Sequence, residues 1–345
     1  MTKLGVLFSV LGVGAGCIPA FAQKQLPNII VMLSDDQGWG DLGFTGNTFV
    51  QTPNIDRIAH EGTILENFYV CPVSSPTRAE FLTGRYHVRS GVNSTTGGGE
   101  RFNLGEKTIA EYFWEAGYAT SLFGKWHSGT QYPYHPNARG FEEFYGFCSG
   151  HWGNYWNPVL EHNGEIISGE GFIIDDLTDK ALDYIRDHKE HPFFMFLSYN
   201  TPHSPMQVPD SWWNRVKDRT LSQRATFPEQ EDTTFTKAAL ALAENLDWNI
   251  GRVLSLLHSL DLEQETIVIY FSDNGPNSFR WNGGMKGRKG STDEGGVRSP
   301  FCIRWPGHIR KGAVETQLSG AIDLIPTLLG LAGIEYTPLR KLDGI

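Results

Sequence analysis

Thr266-Ile267-Val268-Ile269-Tyr270-Phe271, closed by Ser272-Asp273-Asn274-Gly275, is the stretch on which the architecture turns. An unbroken apolar run rich in β-branched and aromatic residues, with no polar alternation, suits a strand covered on both faces. Directly upstream, from about Thr236 to Leu260, Ala239, Leu242, Leu246, Ile250, Val253, Leu254 and Leu257 fall on one helical stripe. A long amphipathic helix leading into a strand buried on both faces is a building unit of a parallel sheet. Further runs of the same kind extend from Asn28 to Leu33, Ala119 to Phe123, Pro192 to Ser198 and Phe301 to Trp305. The expected fold class is therefore α/β, with a mostly parallel central sheet sandwiched by helices.

Polar residues come directly after most of these runs. The first run ends in Ser34-Asp35-Asp36 and the second in Gly124-Lys125-Trp126-His127. The third ends in Asn200-Thr201-Pro202-His203 and the Thr266 run in Ser272-Asp273-Asn274-Gly275. Ligands of open α/β sheets bind beyond the carboxyl ends of the strands, so these clusters are expected to form one shared site. Asp210 to Asp232, with a Trp pair and mixed charges, reads as an insertion over one face. Gly97-Gly98-Gly99 lacks a following Lys-Ser/Thr and is not a nucleotide loop.

A chain of 345 residues can bury a large core. Its formal charge of −10 argues against nucleic acid or an anionic membrane surface as partner, so an anionic substrate would have to meet a local basic site. Lys3, the apolar stretch Leu4 to Ala15 and Ala20-Phe21-Ala22 before Gln23 read as a secretory signal over 1–22. That apolar run is shorter than the ~20 residues of a spanning helix, so stable membrane insertion is not expected. Gly16-Cys17 is the weaker reading, a lipid attachment site, because Gly14 stands where Leu is usual. Export to the periplasm or medium is therefore the expectation. Without Cys17 the mature part, 23–345, keeps Cys71, Cys148 and Cys302, an odd set that permits one disulfide at most.

Asp35, Asp36, Asp273 and Asn274 offer only oxygen ligands, which suit a hard cation such as Ca2+ or Mg2+ rather than zinc. Between them in sequence lies Ser74-Ser75-Pro76-Thr77-Arg78, then Leu82-Thr83-Gly84-Arg85. Pro76 suits a first helical turn, the Ser before it a cap, and Gly84 a helix stop. Residue 74 would then sit at a helix N-terminus, where free N–H groups favour an anion. Arg78, four residues on, shares its helix face. Lys125 and His127, two apart after a strand, would point to one side in extended geometry. His203 and the basic loop Gly287-Arg288-Lys289-Gly290 add a proton source and another cation. Arg78, Lys125, Lys289 and one divalent cation outweigh three aspartates, leaving the set net positive. A two-zinc phosphatase would need further Asp and His ligands.

With these pieces the chain resembles the type I, formylglycine-dependent sulfatases of the alkaline phosphatase superfamily, in their bacterial, arylsulfatase-like Ser-type group. The likeness runs from Pro27-Asn28-Ile29-Ile30 through Gly295-Gly296-Val297-Arg298 to Asp323-Leu324-Ile325-Pro326-Thr327-Leu328. The family cassette is Cys or Ser, any residue, Pro, any residue, Arg, then three residues and Leu-Thr-Gly-Arg. Cys71 fails it through Val73 and Ser75, and Ser75 fails it through Thr77 and Ala79, leaving Ser74. The resemblance implies that Ser74 is oxidised to formylglycine by a radical-type maturase. It implies that this residue with Asp35, Asp36, Asp273 and Asn274 binds Ca2+, with Mg2+ as the alternative. Arg78 would hold the aldehyde hydrate, while Lys125, His203 and Lys289 would bind sulfate. His203 would be the general acid and His127 the base that collapses the sulfated hydrate.

An unmodified serine would form a sulfate ester that only water could clear, whereas a hydrate expels sulfate by reforming its aldehyde. The substrate is expected to be a sulfated carbohydrate or an aryl sulfate, with some of the ten Trp residues, such as Trp152, Trp156 and Trp281, as stacking surfaces. The sequence stops at Leu342-Asp343-Gly344-Ile345, where the family usually continues into a small antiparallel subdomain, which is expected to be missing. Two other readings stay open: a phosphodiesterase or phosphonate hydrolase of the same superfamily, and an inactive protein that captures sulfated glycans.

Overall fold

A computed structural model describes residues 26–345; the leader expected over 1–22, Cys17 included, lies outside them. In chain order the strands are β1 (Asn28–Ser34), β2 (Thr63–Leu65), β3 (Phe68–Tyr69), β4 (Ala119–Lys125), β5 (Glu143–Phe147) and β6 (Val159–His162). They continue as β7 (Glu165–Ser168), β8 (Phe193–Ser198), β9 (Thr266–Ser272), β10 (Phe301–Arg304), β11 (Ala313–Glu315) and β12 (Ser319–Gly320). Ten of them form one sheet in the order β11-β2-β10-β9-β1-β8-β4-β5-β6-β7, while β3 and β12 pair separately. From β9 through β1, β8 and β4 to β5 every neighbouring pair is parallel. Antiparallel pairing begins outside that block, at β10 against β9 and at β6 against β5. The expected mostly parallel sheet is present, and Phe301–Arg304 is its antiparallel addition.

Alternation along the central strands distributes two cores. Ile29, Val31 and Leu33 of β1 join Phe194, Phe196, Ile267, Ile269 and Phe271 on one face, under the helices Ser74–Thr83, Ile109–Glu115 and Leu324–Ala332. Ile30 and Met32 join Met195, Leu197, Val268 and Tyr270 on the other, under Pro53–Glu61, Ile173–Asp187 and Thr233–Ser259. Period-2 side-chain geometry makes both sets apolar, which explains the unbroken runs. The insertion contains the helix Asp210–Val216, whose Val216 packs with Phe49, Val50 and Leu240 in a small third cluster. Cys71, Cys148 and Cys302 are buried free thiols. No helix among the described residues is long and apolar enough to cross a membrane.

The helix Pro53–Glu61 shows how distant parts are joined. Its own N-cap, Thr52, makes no side-chain cap bond. Asp247, from the Thr233–Ser259 helix, accepts the backbone N–H groups of Asn54 at 2.9 Å and Ile55 at 2.8 Å, and the Asn54 amide at 2.8 Å. Asp247→Ala removes that capping carboxylate and leaves the buried Ile55 N–H and the two part-buried Asn54 donors unpaired. It is expected to cost about 2 kcal/mol, read as a shifted urea midpoint at constant m-value; an unchanged midpoint would show that solvent replaces the cap.

Candidate active site

The polar ends of β9, β1, β8 and β4 converge because these strands are consecutive in the sheet and parallel. Backbone bonds stitch the exits together: Asp35 N–H donates to the Thr201 carbonyl and Asp273 N–H to the Ser34 carbonyl, both at 3.1 Å. Ser74 opens the helix Ser74–Thr83, all of whose residues are buried. The N-cap is Val73 and makes no side-chain cap bond, which corrects the expectation that a Ser caps this helix; Ser75 Oγ donates instead to the Ser94 carbonyl at 2.9 Å. Gly84 ends the helix as expected, at φ 64° with its N–H on the Glu80 carbonyl.

Ser74 Oγ lies 2.6 Å from Asp273 Oδ2, 2.8 Å from Arg78 Nε and 3.2 Å from His127 Nδ1. Arg78 is fully buried and also donates to Asp273 at 3.0 Å, to the Lys125 carbonyl at 3.0 Å and to Ser198 Oγ at 2.6 Å. Lys125 Nζ pairs with Asp35 at 2.7 Å, and Lys289 Nζ with both oxygens of Asp36 at 2.7 and 2.9 Å. His203 Nε2 stands 3.5 Å from Asp36 Oδ2, and Asn274 Nδ2 donates to Asp36 Oδ1 at 2.8 Å. The residues expected to carry catalysis, sulfate binding and the metal therefore share one site, whereas Trp152 stacks on Phe147 and Trp156 packs against Phe172. Each aspartate there has its own cation: Lys125 for Asp35, Lys289 for Asp36 and Arg78 for Asp273.

The electrostatics follow from burial and these pairings. Burial alone would raise the Asp35 carboxyl, but Lys125, with help from His203 and Arg78, holds it below the usual range. Burial, reinforced by Arg78, pushes Lys125 down against the pull of Asp35. Burial would lower Lys289 too, but Asp36 and Asp35 outweigh it and raise the ammonium. Burial and then Lys125 drive His127 down to about 2, so its imidazole is neutral. His127 Nε2 faces the Thr95 carbonyl at 2.9 Å, and a carbonyl only accepts. The ring proton therefore sits on Nε2, and Nδ1 presents a lone pair to Ser74 Oγ.

Asp35 Oδ1 and Asn274 Oδ1 are buried and accept no hydrogen bond. Together with Asp36 and Asp273 they form an all-oxygen donor set that fits a hard divalent cation. Asp35, Asp36 and His203 also place their ligand atoms within 4.8 Å of one another.

Sequence reasoning missed several positioning residues. His127 reaches Ser74 from a left-handed backbone at φ 61°, so the expected extended Lys-x-His alternation does not describe it. Asp36 is likewise left-handed, at φ 63°, and Arg280 holds that turn by donating to the Asp36 carbonyl at 2.9 Å while paired with buried Asp41 at 2.6 Å. Ser198 Oγ bridges Arg78 and the Lys125 carbonyl. A Cβ on Gly150 would lie 2.1 Å from His127 Nε2. Gly150→Ala is therefore expected to turn the imidazole off Ser74 and lower kcat about 100-fold with little change in melting temperature. Unchanged kcat would remove His127 orientation from the account.

The sulfatase family model matches residues 27–334. Human N-acetylgalactosamine-6-sulfatase is 32% identical over 97% of this chain and 66% of its own length. Human arylsulfatase D is 28% identical over 95% of this chain and 69% of its own length. Among solved structures, Ps i-CgsB in complex with k-i-k-neocarrahexaose matches with a TM-score of 0.82 at 33% identity, covering 93% of this chain and 75% of that one. The chain thus spans about two thirds of the length of these curated relatives. With the cassette helix, the four strand ends and the family match extending through almost the whole described fold, the chain belongs to the sulfatase family.

Proposed function

We propose that this protein is a sulfuric ester hydrolase acting on a sulfated carbohydrate, with Ser74 converted to formylglycine as its nucleophile. The observation that carries the reading is the contact set of Ser74 Oγ: Asp273, Arg78 and the bare Nδ1 of His127, all within 3.2 Å. Family membership and sulfatase relatives over nearly the full chain support sulfate ester hydrolysis over phosphodiester or phosphonate cleavage and over a catalytically silent glycan binder. The name of N-acetylgalactosamine-6-sulfatase and the neocarrahexaose bound to Ps i-CgsB favour a carbohydrate over an aryl sulfate.

In this reading Asp35, Asp36, Asp273 and Asn274, with the modified residue 74, hold Ca2+, with Mg2+ as the other hard cation of suitable chemistry. When bound, such a cation supplies positive charge beside the nucleophile and the transferring group. Lys125 and Lys289 hold the sulfate oxygens, and Arg78 fixes the nucleophilic oxygen against Asp273. His203 lends a proton to the leaving alcohol; its Nδ1 donates to the Ser204 carbonyl at 2.6 Å, so that proton is the one on Nε2 of its charged form. His127 takes a proton from residue 74 at Nδ1. A radical-type maturase would supply the modification, and export to the periplasm or medium would bring the enzyme to its substrate.

Mass spectrometry of the Ser74 peptide from the native host, with sulfate release measured on the same preparation, tests the proposal. Loss of two hydrogens together with release supports it; an intact serine with no release overturns it. Lys289→Ala is expected to raise KM for a sulfate ester about tenfold, one lost charge-assisted contact being worth roughly 1.5–3 kcal/mol at most, with a smaller change in kcat. Unchanged kinetics would take Lys289 out of the sulfate site.

A further inference from the structure

Cys71, the thiol three residues before Ser74, is used by none of this chemistry, yet it is not isolated. Its ligand atom and those of Glu80 and His87 all lie within 4.8 Å of one another. We propose that Cys71, Glu80 and His87 form a second metal site that takes a borderline divalent cation of the zinc type.

Three independent features support the site. The first is charge. Glu80 is only 7% exposed, and among the described residues it forms no ion pair with Lys, Arg or His. Its carboxylate accepts the His87 backbone N–H at 3.2 Å and the Cys71 S–H, neither of which brings a positive charge, and burial raises its carboxyl above the usual range. Buried carboxylates are normally paired with a cation or bound to a metal.

The second is the histidine tautomer. His87 Nδ1 lies 2.9 Å from the Val92 carbonyl, so the ring proton is on Nδ1 and Nε2 is the bare nitrogen. Histidine ligands characteristically donate their other N–H to a backbone carbonyl. A second Cys, His and Glu group, Cys148 with His135 and Glu161, lacks this feature. There the Asn137 N–H points at His135 Nδ1 at 3.3 Å, so Nε2 carries the proton that faces Glu161 at 2.5 Å. A cation at that Nε2 would leave the ring no proton to keep, so this second group is a hydrogen-bonded pair with a neighbouring thiol.

The third is anchoring. Cys71 N–H donates to Thr77 Oγ1 at 2.9 Å, which lays the lead-in segment along the Ser74–Thr83 helix. Glu80 rides on that helix, and His87 begins the next short helix, His87–Ser90. Zinc bonds of about 2.0–2.3 Å would draw together three ligand atoms that already lie within 4.8 Å of one another, and half-buried His87 leaves a route from solvent. A sulfur, a nitrogen and a carboxylate oxygen form a donor set of borderline softness, unlike the all-oxygen set beside Ser74. On binding, the Cys71 S–H bond breaks, its proton passes to solvent, and the sulfur lone pair forms the S–metal bond. Thiolate and carboxylate together then neutralise the two positive charges. The cation would clasp the segment entering Ser74, the helix it starts and the turn beyond that helix.

The test uses the purified full chain with Co2+ and Zn2+. Co2+ should produce a near-ultraviolet thiolate-to-metal charge-transfer band that one equivalent of Zn2+ displaces, which a cation held only by oxygens beside Ser74 cannot do. The band should disappear in Cys71→Ser and His87→Gln and persist in Cys148→Ser. Zn2+ should also slow alkylation of Cys71 in the wild-type chain, read by peptide mass spectrometry, so the test stands even if a variant fails to fold. Absence of the band in wild type, its loss in Cys148→Ser, or alkylation of Cys71 unaffected by Zn2+ would overturn the proposal.

Discussion

Ser74→Ala is expected to abolish sulfate release, lowering kcat by on the order of 10^5-fold, the range seen when a nucleophile that acts as one unit with its base is removed. The surrounding machinery gives a reason to expect a loss confined to chemistry. Arg78 keeps its bonds to Asp273, Ser198 and the Lys125 carbonyl when Oγ is gone, so its buried charge stays compensated. Alanine also suits the first turn of the Ser74–Thr83 helix, whose N-cap is Val73 and takes nothing from the Ser74 side chain. The variant should therefore fold, keep its melting temperature within a few degrees and bind a sulfate ester with little change. The measurements are sulfate release by ion chromatography and thermal unfolding on the same preparation. A variant retaining activity within tenfold of wild type would sink the nucleophile assignment, whatever the peptide mass at position 74.

The central strands and their polar exits were legible because burial on both faces leaves a strong local imprint, an unbroken apolar run such as Ile267 to Phe271 with a polar break after it. The helix leading into β9 was legible through its stripe, and its start moved only from Thr236 to Thr233, where Asp232 caps it. The outer strands β2, β6, β7 and β11 are only three or four residues long, too short for a strong local pattern, and β2 and β11 pair with each other across about 250 residues. The same distinction applies at the site. Asp35, Asp36, Asp273 and Asn274 carry oxygen donors in the side chain and could be found from type and position at strand ends, and Ser74 from its likeness to the family cassette. Thr95 acts through a backbone carbonyl, Gly150 through the absence of a Cβ, and Arg280 by holding the left-handed turn at Asp36 from across the fold. Such roles leave no pattern in local sequence. The Ser75 cap failed because the helix begins one residue earlier, at Ser74 with Val73 as N-cap, which leaves Ser75 inside the first turn with its hydroxyl donating to the Ser94 carbonyl.

Asp273→Ala should produce the largest combined loss, of stability and of activity together. Asp273 Oδ2 receives Ser74 Oγ at 2.6 Å and Arg78 at 3.0 Å, while Oδ1 accepts the Asp36 N–H at 3.2 Å. Both members of the Arg78 pair are fully buried. Removing one partner of a buried ion pair leaves an uncompensated charge, at a cost of about 3–5 kcal/mol, and neutral Ser198 and the Lys125 carbonyl cannot supply the missing negative charge. The Asp36 turn loses a support at the same step, so the oxygen donors lose one ligand and the alignment of another. Asp273→Asn separates these effects. The amide oxygen can still accept from Arg78, although the amide nitrogen in the Oδ1 position cannot accept the Asp36 N–H, so part of the stability should return, while metal content and sulfate release stay low because the charge is gone. Urea unfolding, metal analysis after dialysis and sulfate release on the two variants measure the three consequences. A folded Asp273→Ala protein that keeps its metal and its activity would refute the placement of Asp273 among the ligands. An Asn variant as unstable as the Ala variant would show that Arg78 needs the full negative charge for folding, making the pair a structural requirement before it is a catalytic one.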